Sequence, residues 1–334
     1  MKRIVTFGEI LLRLSPDIGG FWQTHQQTPM YLGGAELNVA RALSRWGFPT
    51  RYVSRMPANS MAFAIREMLQ AEDIDVSALA TGGQRIGQYW LPQGSDIKSG
   101  GVIYDRAHSS FGTWSPEEVD WDTVFQYAGW FHFSAITPAL SPEMVRLCRV
   151  ATQEAAQRQI PQSIDLNFRA TLWQYGVSPQ QVMPELVENC QVIMGNLWAA
   201  HHLLGAPLPD PGGQDYSIDQ ATTNQFLFQR YPVCQWIAHT YRFDHPAGGI
   251  EYHATLSDRT QSAKSPTFRR LEVIDRVGSG DCFMAGLLAG ITSDWSISKT
   301  VSFAATAAIG KLGEKGDATQ QSIEHIFSTL SSYT

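Results

Sequence analysis

Asp275-Arg276-Val277-Gly278-Ser279-Gly280-Asp281-Cys282-Phe283 is the stretch on which the reading of this chain turns. The strand-like Leu271-Glu272-Val273-Ile274 precedes it, and the helix-like Met284-Ala285-Gly286-Leu287-Leu288-Ala289-Gly290 follows. Gly278 and Gly280 let the backbone turn tightly and approach a ligand closely. A helix that starts there presents unpaired N–H groups and the positive end of its dipole, which suits an anion such as phosphate. A carboxylate at Asp281 is repelled by that anion unless it has work there, such as taking the proton of an attacking hydroxyl. Asp is equally at home as a helix N-cap, so on this stretch alone both readings stay open.

Composition narrows the classes. With 334 residues, 43% of them hydrophobic, the chain can bury a large core and suits one large α/β domain or two modest ones. A net charge of -6 without a long Lys or Arg run gives no electrostatic footprint for nucleic acid or an anionic membrane. Cys148, Cys190, Cys234 and Cys282 are widely spaced, with no Cys-x-x-Cys pair, so reduced thiols are expected rather than a disulfide framework or a zinc site. No segment reaches membrane-spanning length, and Glu9 cuts the only apolar run near the start; a cytoplasmic protein is expected.

Working outward, Ile4 to Glu9 reads as a buried strand ending in a turn, and Ile10 to Gln27, with Leu12, Leu14, Phe21 and Trp22, as short strands outside the main sheet. Gly33-Gly34 opens a helix with Leu37, Ala40 and Leu43 on one face and a stop at Gly47. Tyr52-Val53-Ser54 and a helix around 61–71 make a βα unit. Gly87 to Pro92 and Gly101 to Arg106 form a hairpin around a polar turn at 93–100, on which Tyr89 and Tyr104 suit plain cross-strand packing. A helical turn at Ser115-Pro116-Glu117-Glu118 precedes a buried strand at Trp130 to Ile136, where His132 suits a hydrogen-bonded core histidine. Helix 143–158 leads to a strand at Ser163 to Arg169 whose polar end lies where open α/β sheets place ligands. Gln191 to Asn196 is the next strand, with a helix at Leu197 to Leu204 stopped by Gly205, then a loop at Leu208 to Gly213. The remaining expected elements are strands at 235–242, 250–256 and 269–274 and helices at 296–312 and 322–330.

The Asp275–Phe283 stretch resembles the signature of the ribokinase (PfkB) family of carbohydrate kinases, Asp-Thr-x-Gly-Ala-Gly-Asp-x-Phe, with Arg276 where that family usually has Thr. Gly33, Gly34, Asn38 and Ala40 resemble its first motif, Gly-Gly-x-x-x-Asn-x-Ala. Ile136-Thr137-Pro138-Ala139-Leu140-Ser141 and Asp165-Leu166-Asn167-Phe168-Arg169-Ala170-Thr171-Leu172-Trp173 are similar to the 2-keto-3-deoxygluconate kinase branch, and the likeness runs over most of the chain.

The resemblance implies an α/β fold: a ribokinase-like three-layer αβα sandwich around a mostly parallel sheet. It makes residues 1–334 one kinase domain, with a small β-sheet lid formed by approximately 10–32 and 86–112. It implies ATP-dependent phosphorylation of 2-keto-3-deoxygluconate at the C6 hydroxyl, with Asp281 as base and Gly278, Ser279 and Gly280 as the anion hole. The sugar acid would meet Gly34, Asn38, Tyr89, Tyr104, Arg106, Ile136 and Arg169 as well as Asp281. ATP would meet Asn167, Arg169, Asn196, Thr240 and Arg242 besides Gly278 and Gly280. Arg suits bidentate recognition of a carboxylate, although Arg106 and Arg169 are also ordinary as solvated surface residues. Where the family often carries Asn-x-x-Glu, with a Glu that organises magnesium, this chain has Asn196-Leu197-Trp198-Ala199, so no magnesium ligand is assigned. ATP and Mg2+ are the implied cofactors, a monovalent cation is a further family expectation, and a homo-oligomer, dimer or higher, is the implied assembly. The alternatives are a kinase of a neutral sugar or nucleoside on the same fold, and a sugar or nucleotide sensor without turnover.

Overall fold

A computed structural model describes residues 2–16, 27–93, 101–210, 216–244 and 248–333. In chain order, the first half comprises β1 (Arg3–Phe7), β2 (Leu11–Leu14), β3 (Met30–Gly33), α1 (Ala35–Arg45), β4 (Thr50–Met56), α2 (Ser60–Ala71), β5 (Ile74–Asp75), β6 (Leu79–Thr81), β7 (Gly87–Trp90) and β8 (Ile103–Asp105). A 3-10 turn at Pro116–Glu118 leads to α3 (Trp121–Phe125), β9 (Ala128–Ser134), α4 (Pro142–Gln157), β10 (Gln162–Asp165), α5 (Pro179–Val187), β11 (Cys190–Met194), α6 (Leu197–Leu204) and α7 (Ser217–Arg230). The chain closes with β12 (Trp236–Asp244), β13 (Ile250–Ser257), β14 (Ser262–Lys264), β15 (Phe268–Arg270), α8 (Ser279–Thr292), α9 (Ile297–Lys311) and α10 (Ile323–Ser331).

Among the described residues the main sheet has 11 strands in the order β14-β13-β12-β11-β10-β9-β1-β4-β5, with β15 on β13 and β6 on β4. From β12 through β5 neighbouring strands are parallel, because a helix returns the chain across one face between them. Alternate residues feed two helical layers. Val5, Phe7, Phe131, Phe133 and Ile193 join Met144, Leu147 and Leu203 in one core, while Ile4, Trp130, Val192 and Met194 join Leu43, Phe283 and Ala304 in the other. This is the expected three-layer αβα architecture. A separate sheet, in the order β3-β2-β7-β8, comes from the excursions after β1 and before β9.

Most expected elements form, and the departures have physical reasons. Leu271 to Ile274 is not a strand: β15 ends at Arg270, Leu271 is 70% exposed, and the Ile274 N–H reaches the Leu312 carbonyl at 2.8 Å. The chain must leave the sheet edge there to carry the Asp275 turn past the end of α9. β10 ends at Asp165 and not Arg169, because the Asp165 carboxylate accepts the Asn167 N–H at 2.9 Å and turns the chain out of the sheet. Helix α8 starts at Ser279 with Gly278 as its cap, earlier than the apolar run suggests. His132 is a core histidine, its Nδ1 3.0 Å from the Ser163 hydroxyl, with burial holding its pKa down to about 3. The four cysteines are buried and free. Phe21 and Trp22, the hairpin turn at 94–100 and the loop beyond Asp210 lie outside the described residues. Among those described, no helix is long and apolar enough to cross a membrane.

Candidate active site

Two helices start beside each other at the carboxyl ends of the parallel strands. Helix α1 follows Gly34, whose φ of 133° and closeness to the Glu9 carbonyl, which a Cβ would meet at 2.4 Å, admit only glycine. Helix α8 follows Gly278, left-handed at φ 80° and pressed on the Asp317 carbonyl, 1.8 Å from where a Cβ would sit. The two N-termini meet through one hydrogen bond, from Asn38 Nδ2 to Asp281 Oδ2 at 2.7 Å. Asp281 therefore occupies the first turn of α8 and is not its N-cap, and its carboxylate serves no capping bond. The Ser279 hydroxyl is turned away to the Ala308 carbonyl, leaving the backbone of the turn to face a ligand.

A cavity of about 750 Å3 opens on this junction, within the size range of small-molecule sites. Every residue expected at the sugar, the anion hole or ATP lines it. Gly34 and Asn38 come from α1, and Ile136 follows β9. Asn167 and Arg169 follow β10, and Asn196 precedes α6. Gly278, Ser279, Gly280 and Asp281 form the α8 turn. Tyr89, Tyr104 and Arg106 enter from the small sheet. Tyr89 and Tyr104 are register partners with ring centroids 6.1 Å apart, so cross-strand packing and a place on the cavity wall hold together. Thr240 and Arg242 lie within β12, opposite Ala254 and Tyr252 of β13, so both reach the cavity from paired strands. Asn196 caps α6 through the Ala199 N–H, and the cavity wall carries the Ala199 methyl where a Glu was the alternative.

The electrostatics are dominated by buried acids. Burial pushes the Asp281 carboxyl up to about 8; Asp165 and Glu36 push the same way, while the Asn38 bond and Arg169 oppose it. Burial also pushes Glu36 up to about 7, against a 2.5 Å bond from the Ser134 hydroxyl. Arg106 is neither solvated nor free: Glu9 Oε2 accepts its Nε at 2.8 Å and sits 2.6 Å from its Nη2. Glu9 Oε1 and Asn38 Oδ1 are buried on the cavity wall without a hydrogen-bond partner, two acceptors that call for hydroxyl donors. Behind the α8 turn, Arg13 of β2 donates to both oxygens of Asp275, at 3.2 and 2.6 Å, and its Nε lies 2.8 Å from Asp317 Oδ1.

Sequence reasoning passed over Glu9, Glu36, Arg13 and Asp317. A signal existed for two of them: Glu9 comes two residues after the apolar β1 run, and Arg13 shares the buried face of its strand with Leu11. Glu36 lies between Gly34 and Asn38 in the first turn of α1, whereas Asp317 meets the site only through long-range packing. Tyr216, Trp198 and Phe243 also line the cavity as an aromatic wall, with Tyr216 stacked 6.1 Å from Phe243.

Comparison with known proteins bears on this geometry. The sequence model of the pfkB family carbohydrate kinases matches residues 1–226 and 253–324. A 2-dehydro-3-deoxygalactonokinase of Haloferax volcanii is 27% identical over 94% of this chain and 92% of its own length. A 2-dehydro-3-deoxygluconokinase of Bacillus subtilis is 26% identical over 89% of this chain and 85% of its own. The crystal structure of a 2-dehydro-3-deoxygluconokinase from Thermotoga maritima superposes with a TM-score of 0.90 at 32% identity, covering 99% of this chain and 100% of that one. With the family match spanning both glycine turns that meet at Asn38 and Asp281, the chain belongs to the pfkB family of carbohydrate kinases, ATP-using phosphotransferases.

Proposed function

We propose that this kinase phosphorylates 2-keto-3-deoxygluconate at its terminal C6 hydroxyl, giving 2-keto-3-deoxy-6-phosphogluconate and ADP. The observation that carries this reading is the Asp281 carboxyl, held by Asn38 at the N-terminus of α8 inside the cavity. Asp281 takes the hydroxyl proton as the C6 oxygen bonds to the γ-phosphorus and the bond from that phosphorus to ADP breaks. A carboxyl whose proton affinity burial has raised is a stronger base than an ordinary Asp once ionised. The N–H groups of the Gly278 to Asp281 turn face the phosphoryl oxygens and stabilise the charge developing on them. Arg169 reads the sugar carboxylate, and Glu9 Oε1 and Asn38 Oδ1 accept sugar hydroxyls.

The residues present fit Mg-ATP. Asp165, a carboxylate on the cavity wall, is the hard oxygen donor that would hold magnesium, directly or through water. Bound with the triphosphate, magnesium would supply positive charge that favours the ionised form of Asp281. They fit a monovalent cation beside the α8 turn poorly, because Asp275 and Asp317 already face Arg13 and Lys311. We take the small sheet, about 10–32 with 86–112, as a lid on one kinase unit spanning 1–334. Assembly as a homo-oligomer and a cytoplasmic location complete the reading, the free thiols suiting a reducing compartment.

A neutral-sugar kinase is the second reading, favoured by the Glu9 carboxylate, which neutralises Arg106 and leaves Arg169 to balance a substrate acid. Coupled ADP release with Mg-ATP over a panel separates the two. Highest kcat/KM with 2-keto-3-deoxygluconate or its galacto epimer supports the proposal. Preference for fructose or ribose selects the second reading, and sugar binding without turnover identifies a sensor.

A further inference from the structure

Arg13 is a buried, doubly paired charge outside the transfer site itself. It projects from the small sheet, with its side chain 3% exposed, and an unmatched charge at that depth costs several kcal/mol. Its matching partners all belong to the main body. Asp275 accepts two of its N–H groups and also takes the N–H of Val277, at 3.1 Å, and of Gly316, at 3.2 Å. Asp317 pairs by charge with Arg13 Nε at 2.8 Å and accepts the Tyr89 hydroxyl at 3.0 Å. Tyr89 and Tyr31 are the register neighbours of Arg13 on either side, and the guanidinium lies over the Tyr31 ring, 4.4 Å from its centroid. Fully buried Lys311 supplies a second positive charge to the same two acids.

These contacts have a direction. Asp275 begins the turn that ends in Asp281, and the Asp317 carbonyl presses on Gly278 so closely that the loop after α9 fixes where the turn lies. Arg13 holds both loops from the strand next to Tyr89, which faces the cavity. We propose that Arg13 is a positioning residue for phosphoryl transfer: it locks the small sheet to the α8 turn, so that the residues facing the sugar and the base Asp281 keep one register. The inference rests on the reading of the α8 turn as the transfer site. A misplacement of about 1 Å in such a site lowers turnover by roughly 10²-fold, so the loss belongs in kcat.

The test is Arg13→Ala, assayed with the panel sugar that the wild type uses best, alongside calorimetric binding of that sugar and thermal unfolding. The expected result is a kcat lower by at least about tenfold, with sugar affinity changed by no more than about threefold. Guanidinium ion at millimolar concentration should restore part of the lost turnover by refilling the site. A kcat within twofold of wild type, or a loss that follows the unfolded fraction and is not rescued by guanidinium, overturns the proposal. Should Arg13→Ala not fold, Arg13→Lys keeps the charge without the fork; it should lose at least about threefold in kcat, and wild-type turnover in it also overturns the proposal. If the wild type phosphorylates no panel sugar, or Asp281→Asn turns over normally, the reading of the α8 turn falls and the proposal with it. Arg13 results on an active wild type concern Arg13 alone.

Discussion

At the residue scale, Asp281 carries opposite consequences for activity and for stability. Its carboxyl titrates at about 8 in the fold, against an ordinary value of 3.8. Between those limits the folded protein keeps a proton that the unfolded chain releases, so this group contributes less stability as pH rises through the window from about 4 to 8. Asn in its place has nothing to titrate. Asp281→Asn should therefore raise Tm over wild type by a margin that widens from pH 5 to pH 8, while kcat falls by at least about 10²-fold. A margin that shrinks as pH rises, or turnover near wild type, removes this account of the residue. The two site arginines separate in the same way. Arg169→Ala should raise KM for the sugar acid well above its effect on KM for ATP. Arg106→Ala strands Glu9 as a buried charge and should destabilise the fold by about 3 to 5 kcal/mol as well. Steady-state kinetics with thermal melts on both variants check the pair, and equal effects of Arg169→Ala on the two KM values would count against carboxylate recognition.

At the element scale, legibility followed the physics of local pattern. The parallel strands and the helices α1, α4, α6 and α9 were readable because apolar periodicity and caps agree with their burial. The small-sheet hairpin was readable from two β-rich runs around a polar turn. Helix α5 buries Val182, Met183, Leu186 and Val187 but carries Pro179 at its start and Pro184 inside it, and α7, which buries Thr223 and Asn224 beside Leu227, lacks a clean apolar stripe; both passed unread. Asn224 is buried for a reason beyond local pattern: it bonds His239 of β12 and Ser257 of β13. Leu271 to Ile274 failed in the other direction, because its apolar residues look like a strand while the course of the chain leaves Leu271 in solvent. The site was legible where a motif is contiguous, as at Gly278 to Asp281. It was illegible where charges pair across 97 positions, as Arg106 and Glu9 do, or across 262, as Arg13 and Asp275 do.

At the scale of the whole molecule, the small sheet and the main body are joined by ionised groups that carry their own counter-charges. Arg13 enters from the sheet, Lys311 from α9, and Asp275 and Asp317 from the two loops that flank the α8 turn. Both Asp275 oxygens are engaged, Oδ1 by Arg13 and the Val277 N–H, and Oδ2 by Arg13 and the Gly316 N–H. A monovalent cation seeking these oxygens would have to displace a bidentate guanidinium and sit beside a second buried positive charge. Like charges about 4 Å apart repel by about 4 kcal/mol at the effective dielectric of a protein surface. Turnover should therefore change by less than about twofold when K+ is replaced by Na+ or tetramethylammonium at constant ionic strength and fixed Mg-ATP. Arg13→Ala removes the resident charge, so in that variant K+ should raise kcat over tetramethylammonium. Strong activation of the wild type by K+ would show that a cation reaches the turn despite Arg13, and that the two fixed charges do not complete it.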